Sequence, residues 1–278
     1  MQGPDAPDPQ RRFGGIARLY GEAALERLRG AHMVVVGVGG VGSWAAEALA
    51  RSGVGELTLI DLDHVAESNI NRQAQALGST LGEAKVRALS RRLLDINPDC
   101  LVHEVEEFLS AENLADLLPA RVDVLLDCCD QVRAKAALAA HAMRAATPLI
   151  VSGAAGGKRL AQHVRVMDLA DVRGDPLLAK LRYRMRREHS AARQGLIGLP
   201  CVCSDEPRAA LLQQACAAPD DPGAGLNCAG YGSSVMVTAS FGMAAAGFAV
   251  ESVVLRRDRD KPGRAPATSG RQDALCYD

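Results

Sequence analysis

The sequence predicts an α/β fold with a doubly wound, mostly parallel sheet and a C-terminal extension. Short β-branched segments alternate with longer amphipathic segments over residues 32–155, and this alternation is typical of βαβ units. A glycine-rich turn follows the first apolar segment, and Asp61 ends the second. Ligands of such sheets bind beyond the carboxyl ends of the strands, so these features predict a nucleotide site there.

The glycine turn joins a predicted strand (33–36) to a predicted helix (43–49). Its spacing is G-x-G-x-x-G, in which glycines permit a tight turn, close approach of a phosphate and close packing of the helix. The start of the helix adds free N–H groups and the positive end of the helix dipole, which attract phosphate. A Rossmann-like domain is therefore predicted, with phosphate contacts from Gly37, Gly39, Gly40 and Gly42.

Polar residues after the second strand distinguish this site from a dinucleotide site. Asp61 follows Gly42 by 19 residues, which is the spacing of a carboxylate that accepts from a ribose hydroxyl. Further polar and cationic residues follow it: Asp63, Asn69, Asn71, Arg72 and Lys85. A triphosphate carries about four negative charges and needs fixed cations, whereas a pyrophosphate needs little beyond N–H groups. The charge count favours ATP over NAD, although Asp63 and Asn69 could instead cap the turn.

The later elements continue the alternation and then change character. Residues 80–83 have capping-box spacing before a helix whose apolar face holds Val86, Leu89, Leu93 and Ile96. Strands are predicted at 101–105, 122–127 and 148–152, and helices near 112–118 and 132–146. Beyond about residue 156 we predict a strand at 162–168, a cation-rich helix at 175–193, a long loop at 195–230 and a buried helix at 235–250. That last segment is short for a membrane span, so no membrane span is expected.

Several motifs stand in register along the chain: the glycine turn, Asp61-Leu62-Asp63, Asn69-Ile70-Asn71-Arg72-Gln73, Lys85 and Asp127-Cys128-Cys129-Asp130. Together they resemble the adenylate-forming enzymes related to ubiquitin-activating enzymes and their bacterial sulfur-carrier-activating relatives. Within that superfamily, segments 12–21 and 40–51 look most like the tRNA threonylcarbamoyladenosine dehydratase branch. The resemblance covers residues 11–257, with the C-terminal extension from about 156, and leaves flexible tails at 1–10 and 258–278.

The resemblance implies an acyl-adenylate mechanism. The carboxylate of threonylcarbamoyladenosine in a tRNA anticodon loop would attack the α-phosphate of ATP, and ring closure within the modified nucleoside would then expel AMP. Asp61 would hold the ribose and Asn71 would position phosphate or ribose. Arg72 and Lys85 would stabilise charge as pyrophosphate leaves, and Asp130 would hold Mg²⁺.

The resemblance also implies partners. In this superfamily an arginine of the second subunit, in an R-aromatic-x-R motif, commonly completes the ATP site; Gly15 occupies its position here. Arg12 and Arg18 are the alternatives for this contact in an expected homodimer. Lys180, Arg182, Arg184 and Arg187 are candidates for tRNA phosphates, although a charge run is usually a solvated face. A monovalent cation and a sulfur-transfer accessory protein are compatible with the resemblance.

Composition restricts the function, the location and the metal binding that the sequence allows. A net charge of −1 excludes a globally basic nucleic-acid binder, and the start of the chain lacks the pattern of a signal peptide, so a cytoplasmic location is expected. Cys128-Cys129 and Cys201-Val202-Cys203 do not have the spacing of zinc ligand pairs, so no zinc is expected. Whether Cys201, Cys203 or Cys228 is reactive stays open.

Three other functions remain open on the sequence. An adenylyltransferase acting on the C-terminal glycine of a ubiquitin-like sulfur carrier would share the ATP site and would usually carry zinc. A NAD-dependent enzyme would leave Arg72, Lys85 and Asp130 unexplained. A non-catalytic module with a vestigial nucleotide site would not need charged site residues.

Overall fold

The computed structural model describes residues 7–206 and 232–255. Its strands are β1 (His32–Val36), β2 (Glu56–Ile60), β3 (Leu101–Val105), β4 (Val124–Asp127), β5 (Leu149–Ser152), β6 (Val164–Asp168) and β7 (Pro200–Ser204). They form one seven-stranded sheet in the order β3-β2-β1-β4-β5-β7-β6. All neighbouring pairs are parallel except β6 and β7. The predicted doubly wound, mostly parallel sheet is confirmed.

Helices cover both faces of the sheet. They are α1 (Pro9–Tyr20), α2 (Glu22–Arg29), α3 (Gly42–Arg51), α4 (Lys85–Ile96), α5 (Leu114–Leu117), α6 (Val132–Ala145), α7 (Pro176–Glu188) and α8 (Val235–Val254). Met33 and Val35 of β1 pack into one core with α2, α3, α4 and α8. Val34 and Val36 pack into a second core with α6 and α7. The strand is buried on both faces, which explains its continuous β-branched sequence.

Helix α4 begins at Lys85, the residue that the sequence predicts to open it. The capping-box spacing at 80–83 does not cap this helix, because α4 has no side-chain cap. Residues just before it are extended: His64 and Ala84 form an antiparallel bridge, and the Val65 N–H donates to the Glu83 carbonyl. Thr80 instead accepts from the Leu77 N–H and closes a separate short turn. Pairing with the segment after β2 therefore decides where this helix begins.

The region after residue 190 also differs. The predicted loop at 195–230 contains β7, which pairs with β5 on one side and β6 on the other. Its Cys201, Val202 and Cys203 are buried by these neighbours. At the other end of the chain, α1 begins at Pro9, inside the predicted tail, because the Asp8 side chain accepts from the Gln10 and Arg11 N–H groups.

Helix α8 is longer than predicted. It has 20 residues and a mean hydropathy of 1.5, so by length and composition it could cross a membrane. In the described structure it lies on the sheet and against α3, with Phe241 and Ala249 fully buried. It therefore forms part of the core that β1 shares with α2, α3 and α4.

Candidate functional site

A cavity of about 440 Å³ lies beyond the carboxyl ends of β1, β2, β4 and β5. The strand order reverses between β1 and β4, and this is where open α/β sheets bind their ligands. Its lining includes eight residues that the sequence predicts for the site: Gly37, Gly39, Gly40, Asp61, Asp63, Arg72, Lys85 and Asp130. The volume lies within the range of small-molecule sites.

Glycine occupies the positions of the turn for two different reasons. Gly37 has φ +81°, and a Cβ on Gly42 would lie 1.9 Å from the Gly37 carbonyl oxygen, so the fold itself excludes side chains at both positions. Gly39 has no such neighbour, since the nearest atom to its Cβ position is 3.9 Å away. Among the described residues, the N–H groups of Gly39 and Gly40 donate to no acceptor. They are free to bind an anion in the cavity.

Asp61 fixes the shape of the glycine turn. Its Oδ2 accepts from the Val38 N–H at 2.8 Å, and its Oδ1 accepts from the Asp63 N–H at 2.9 Å. The Val38 carbonyl in turn accepts from the buried Gln75 Nε2 at 2.8 Å. Burial raises the pKa of Asp61, against the smaller opposing effect of the Lys85 charge and these two N–H groups. Each carboxylate oxygen keeps a lone pair for a further donor, such as a hydroxyl.

Two cations are held on the cavity wall. The Lys85 Nζ lies 2.6 Å from the Asp63 Oδ2, and the lysine side chain is 7% exposed. The Arg72 Nη1 donates to the Ser68 carbonyl at 2.6 Å and to the Asn71 Oδ1 at 2.9 Å. Burial lowers the pKa of Arg72, but an arginine stays charged at neutral pH. Both positive charges therefore face the cavity with restricted side chains.

The segment that carries Arg72 is attached to two helices. The indole N–H of Trp44 on α3 donates to the Arg72 carbonyl at 2.9 Å, and the Thr238 hydroxyl on α8 donates to the same oxygen at 3.4 Å. The Asn71 Nδ2 donates to the Ser233 carbonyl at 2.8 Å. This loop and the start of α8 thus form one wall of the site.

The other predicted site residues occupy distinct positions. Asp130 lies three residues after β4 and lines the cavity. Asn69 is outside the lining, and its Oδ1 accepts from the Ala66 N–H at 3.0 Å, which matches the turn-capping alternative. Asn71 and Gly42 also lie beside the lining rather than in it.

Several lining residues had no sequence signal. They come from separate elements that only the tertiary structure brings together, and they include Phe108, Gln131, Ser233 and Thr238. Phe108 is an aromatic side chain, 50% exposed, just after β3. An exposed aromatic ring at a ligand cavity offers a flat apolar surface, but a single aromatic residue after a strand does not by itself indicate this in a sequence.

A buried ion pair lies at the end of β4. The Lys135 Nζ is 3.0 Å from the Asp127 Oδ1, and neither side chain is exposed. Burial would lower the pKa of Lys135, but the Asp127 charge, the hydrogen bond to Asp127 and the neighbouring Cys128 and Cys129 together outweigh burial and raise that pKa to about 12. Burial also raises the pKa of Cys128 to about 12 and that of Cys203 to about 11. Thiols of this kind stay protonated at neutral pH and are poor nucleophiles.

Burial acts in the same direction on the pKa of Cys201. Cys228 lies outside the described residues.

The candidate tRNA-binding side chains on α7 differ in their contacts. The Arg182 guanidinium donates to the Leu169 and Val172 carbonyls. Arg184 pairs with Glu188 at 2.9 Å, and Arg187 lies over the Tyr183 ring at 5.8 Å. Lys180 is exposed. The first turn of this helix reaches the cavity, because Leu177 is part of its lining.

The two candidate arginines of α1 also differ. The Arg12 Nη1 donates to the Asp95 and Ile96 carbonyls at the end of α4 in the same chain. Arg18, six residues later on the same helix, is exposed.

Comparison with known proteins identifies the family of this chain independently of the cavity. The model of the ThiF family matches residues 15–246 of this chain. The chain belongs to the ThiF family. The tRNA threonylcarbamoyladenosine dehydratase of Escherichia coli (strain K12) is 42% identical over 257 residues, which are 90% of this chain and 96% of that protein. The enzyme of the same name from Haemophilus influenzae is 41% identical over 88% of this chain and 92% of its own length.

A solved structure of the E. coli dehydratase in complex with ATP has a TM-score of 0.79 to this ThiF family member. The two sequences are 41% identical, and the match covers 88% of this chain and 94% of that chain.

Proposed function

We propose that this ThiF family protein is an ATP-dependent tRNA threonylcarbamoyladenosine dehydratase. One observation carries the proposal: the 42% identity to a dehydratase extends over 96% of that protein. The matched region therefore includes β6, α7 and β7 as well as the strands whose ends line the cavity. A cavity with free N–H groups and two fixed cations supports the ATP-dependent step.

ATP would occupy the cavity with its phosphates at the glycine turn. The N–H groups of Gly39 and Gly40 would donate to phosphate oxygens, and Asp61 would accept from a ribose hydroxyl. Lys85 and Arg72 would stabilise the charge that develops as pyrophosphate leaves, which is electrostatic rather than proton-transfer catalysis. Asn71 fixes the Arg72 guanidinium by accepting from it at 2.9 Å.

The residues present fit a magnesium ion. Asp130 offers a carboxylate on the cavity wall, and Mg²⁺ in nucleotide sites is held by one or two carboxylates, phosphates and water. Asp130 would be that ligand. Bound there, the ion would neutralise phosphate charge in the departing pyrophosphate.

The reaction then has two steps. The threonyl carboxylate of the modified nucleoside attacks the α-phosphate, an oxygen–phosphorus bond forms, and pyrophosphate leaves. A nucleophile within the same modification attacks the activated carbonyl, closes a ring and expels AMP. Because both reacting ends belong to one nucleoside, ring closure is effectively unimolecular and needs no covalent enzyme intermediate.

The tRNA would lie along α7, whose first turn lines the cavity. Lys180, Arg184 and Arg187 would contact phosphates. Arg182 has a different role in this proposal, since its guanidinium donates to two carbonyls of its own chain.

The active form would be a cytoplasmic homodimer. Arg18 of one subunit would reach the ATP site of the other. Arg12 is less suited to that contact because its guanidinium caps the end of α4 in its own chain.

The test is incubation of the protein with ATP, Mg²⁺ and tRNA that carries or lacks threonylcarbamoyladenosine. We expect AMP and pyrophosphate to form only with modified tRNA, and nucleoside mass analysis to show the loss of one water. Pyrophosphate exchange that requires a small protein ending in glycine, with the nucleoside unchanged, would instead establish the sulfur-carrier alternative. Tight binding of NAD without binding of ATP would contradict both.

A further inference from the structure

Three side chains with metal-ligating atoms meet at the opposite end of the strands from the ATP cavity. His32 and Glu56 are the first residues of β1 and β2, and His103 is in β3. His32 is in register with Glu56, and Thr58 is in register with His103. Since residues two apart in a strand point to the same face, all three side chains share one face. Their ligating atoms lie within 4.8 Å of one another.

The geometry of this cluster suits a tetrahedral metal. The Glu56 Oε1 lies 2.8 Å from the His103 Nε2 and 3.4 Å from the His32 Nδ1. Ligand atoms around zinc are about 3.4 Å apart when each is about 2.1 Å from the metal. Of the three pairs, Glu56 and His32 already have this separation, Glu56 and His103 would have to open by roughly 0.6 Å, and the two histidine nitrogens lie within 4.8 Å of each other.

Thr58 orients one of the imidazoles. The His32 Nε2 lies 2.8 Å from the Thr58 Oγ1. When the Nε2–H donates to this hydroxyl, the Nδ1 lone pair faces Glu56, which is the tautomer that a metal requires. Partners of this kind on the second ring nitrogen are typical of metal-binding histidines.

The cluster is accessible from one side. The His32 side chain is 9% exposed, whereas those of Glu56 and His103 are 36% and 43% exposed. They open into a groove of about 460 Å³ whose lining also includes Asp116, Leu117, Leu118, Pro119 and Arg121. A metal held by these three ligands would keep one coordination position open to the groove.

We propose that His32, Glu56 and His103 form a zinc site with one open coordination position. Two imidazoles and one carboxylate are an established ligand set for zinc. The expectation of no zinc rests on the spacing of the cysteines, whereas the ligands of this site are two histidines and a glutamate. The site is about 13 Å of strand length from the ATP cavity, so its effect would be to fasten the edge strand β3 to β2 and β1 rather than to take part in adenylation.

The test uses the full chain, stripped of metal with a chelator and titrated with Zn²⁺ alone against a chromophoric competitor. We expect His103→Asn to weaken binding at this site at least about tenfold. His163→Asn is the matched control, because His163 pairs with Asp205 at 2.6 Å without a third ligand among the described residues. This variant should bind zinc as the wild type does. Glu56→Gln provides a second variant should His103→Asn fail to fold.

Two further measurements separate this site from cysteine sites elsewhere in the chain. Zinc should raise the melting temperature of the wild type and of His163→Asn, but not that of His103→Asn. Co²⁺ at the site should show a visible spectrum without thiolate charge transfer, and this spectrum should disappear in His103→Asn. Equal zinc affinity in wild type and His103→Asn, equal loss in the control, or a thiolate spectrum would each overturn the proposal.

Discussion

Lys85 and Asp130 line the same cavity with opposite charges, and the proposed mechanism gives each of them a task that depends on charge alone. Lys85 is the first residue of α4 and contacts the exposed Asp63. Removing it leaves Asp63 in solvent, where an unpaired carboxylate costs little. The expected effects on folding and on catalysis are therefore separable.

We predict that Lys85→Ala and Asp130→Ala each lower the rate of AMP formation at least about 100-fold, the loss typical when a group that stabilises developing charge is removed. Melting temperatures should stay close to that of the wild type. Arg91→Ala is the control, since Arg91 is another cation on α4 and pairs with Glu83 away from the cavity. Near-normal rates in both site variants would remove these residues from the mechanism.

The packing of α8 against α3 determines where the glycine turn lies. At Gly242, an added Cβ would be 2.6 Å from the Val41 carbonyl oxygen and 2.9 Å from the Ala45 nitrogen. Both are backbone atoms at the start of α3, so they cannot move without shifting the turn. At Gly247, on the same helix, an added Cβ meets nothing within 4 Å.

We predict opposite effects of alanine at these two positions. Gly242→Ala should lower the free energy of unfolding by roughly 1–3 kcal/mol through overpacking, and should weaken ATP binding. Gly247→Ala should raise it by up to about 1 kcal/mol, because alanine is the better helix former. Denaturant unfolding and ATP titration of the two variants measure this. Equal destabilisation would show that α8 is not fixed against α3 in this way.

Helix α7 offers a test of the tRNA surface. Arg184→Ala/Arg187→Ala should reduce tRNA affinity and lower the slope of log affinity against log salt by about 1.5, since each phosphate contact contributes about 0.7–0.9. The control is Arg87→Ala/Arg91→Ala, which removes the same amount of positive charge. These two arginines lie on α4, a helix that packs into the other core. An unchanged slope in the α7 variant, or an equal loss in the control, would contradict a specific role for α7.

Local sequence patterns predicted the part of the site that is formed by neighbouring residues. The strand, glycine turn, helix and Asp61 follow each other within a short segment, so their spacing in the sequence determines how they are arranged in space. Gln75 contacts Val38 from 37 residues away, and Thr238 contacts Arg72 from 166 residues away. Such contacts depend on how whole elements pack, and no short motif indicates them.

Pairing between distant segments also explains why the sequence does not indicate β7 or the bridge before α4. β7 has only five residues, it follows a segment that contains Gly195 and Gly198, and its partners β5 and β6 are distant in the chain. The start of α4 depends on a bridge to the segment after β2 rather than on its own capping residues. At both positions, pairing with another segment of the chain decides the local structure, and the local sequence does not indicate that pairing.

At the scale of the whole molecule, the proposed homodimer makes each ATP site dependent on two chains. Arg18 is exposed on α1, whereas Lys85 and Asp130 line the cavity of their own chain. A subunit whose own site is inactive can still supply Arg18 to the site of its partner. A two-fold dimer of two differently inactivated subunits would therefore have one complete site out of two.

We therefore predict that Arg18→Ala and Lys85→Ala homodimers are both inactive, while their heterodimer, purified through two different affinity tags, recovers about half of the wild-type rate. In that heterodimer one cavity has Lys85 from its own chain and Arg18 from its partner, and the other lacks both. A heterodimer of Lys85→Ala with Asp130→Ala is the control and should stay inactive, because each of its cavities lacks a residue of its own chain. Full activity of the Arg18→Ala homodimer would show that Arg18 has no part in the reaction. An inactive heterodimer of Arg18→Ala with Lys85→Ala would place Arg18 at the site of its own chain, and a monomeric protein in sedimentation would refute the shared site altogether.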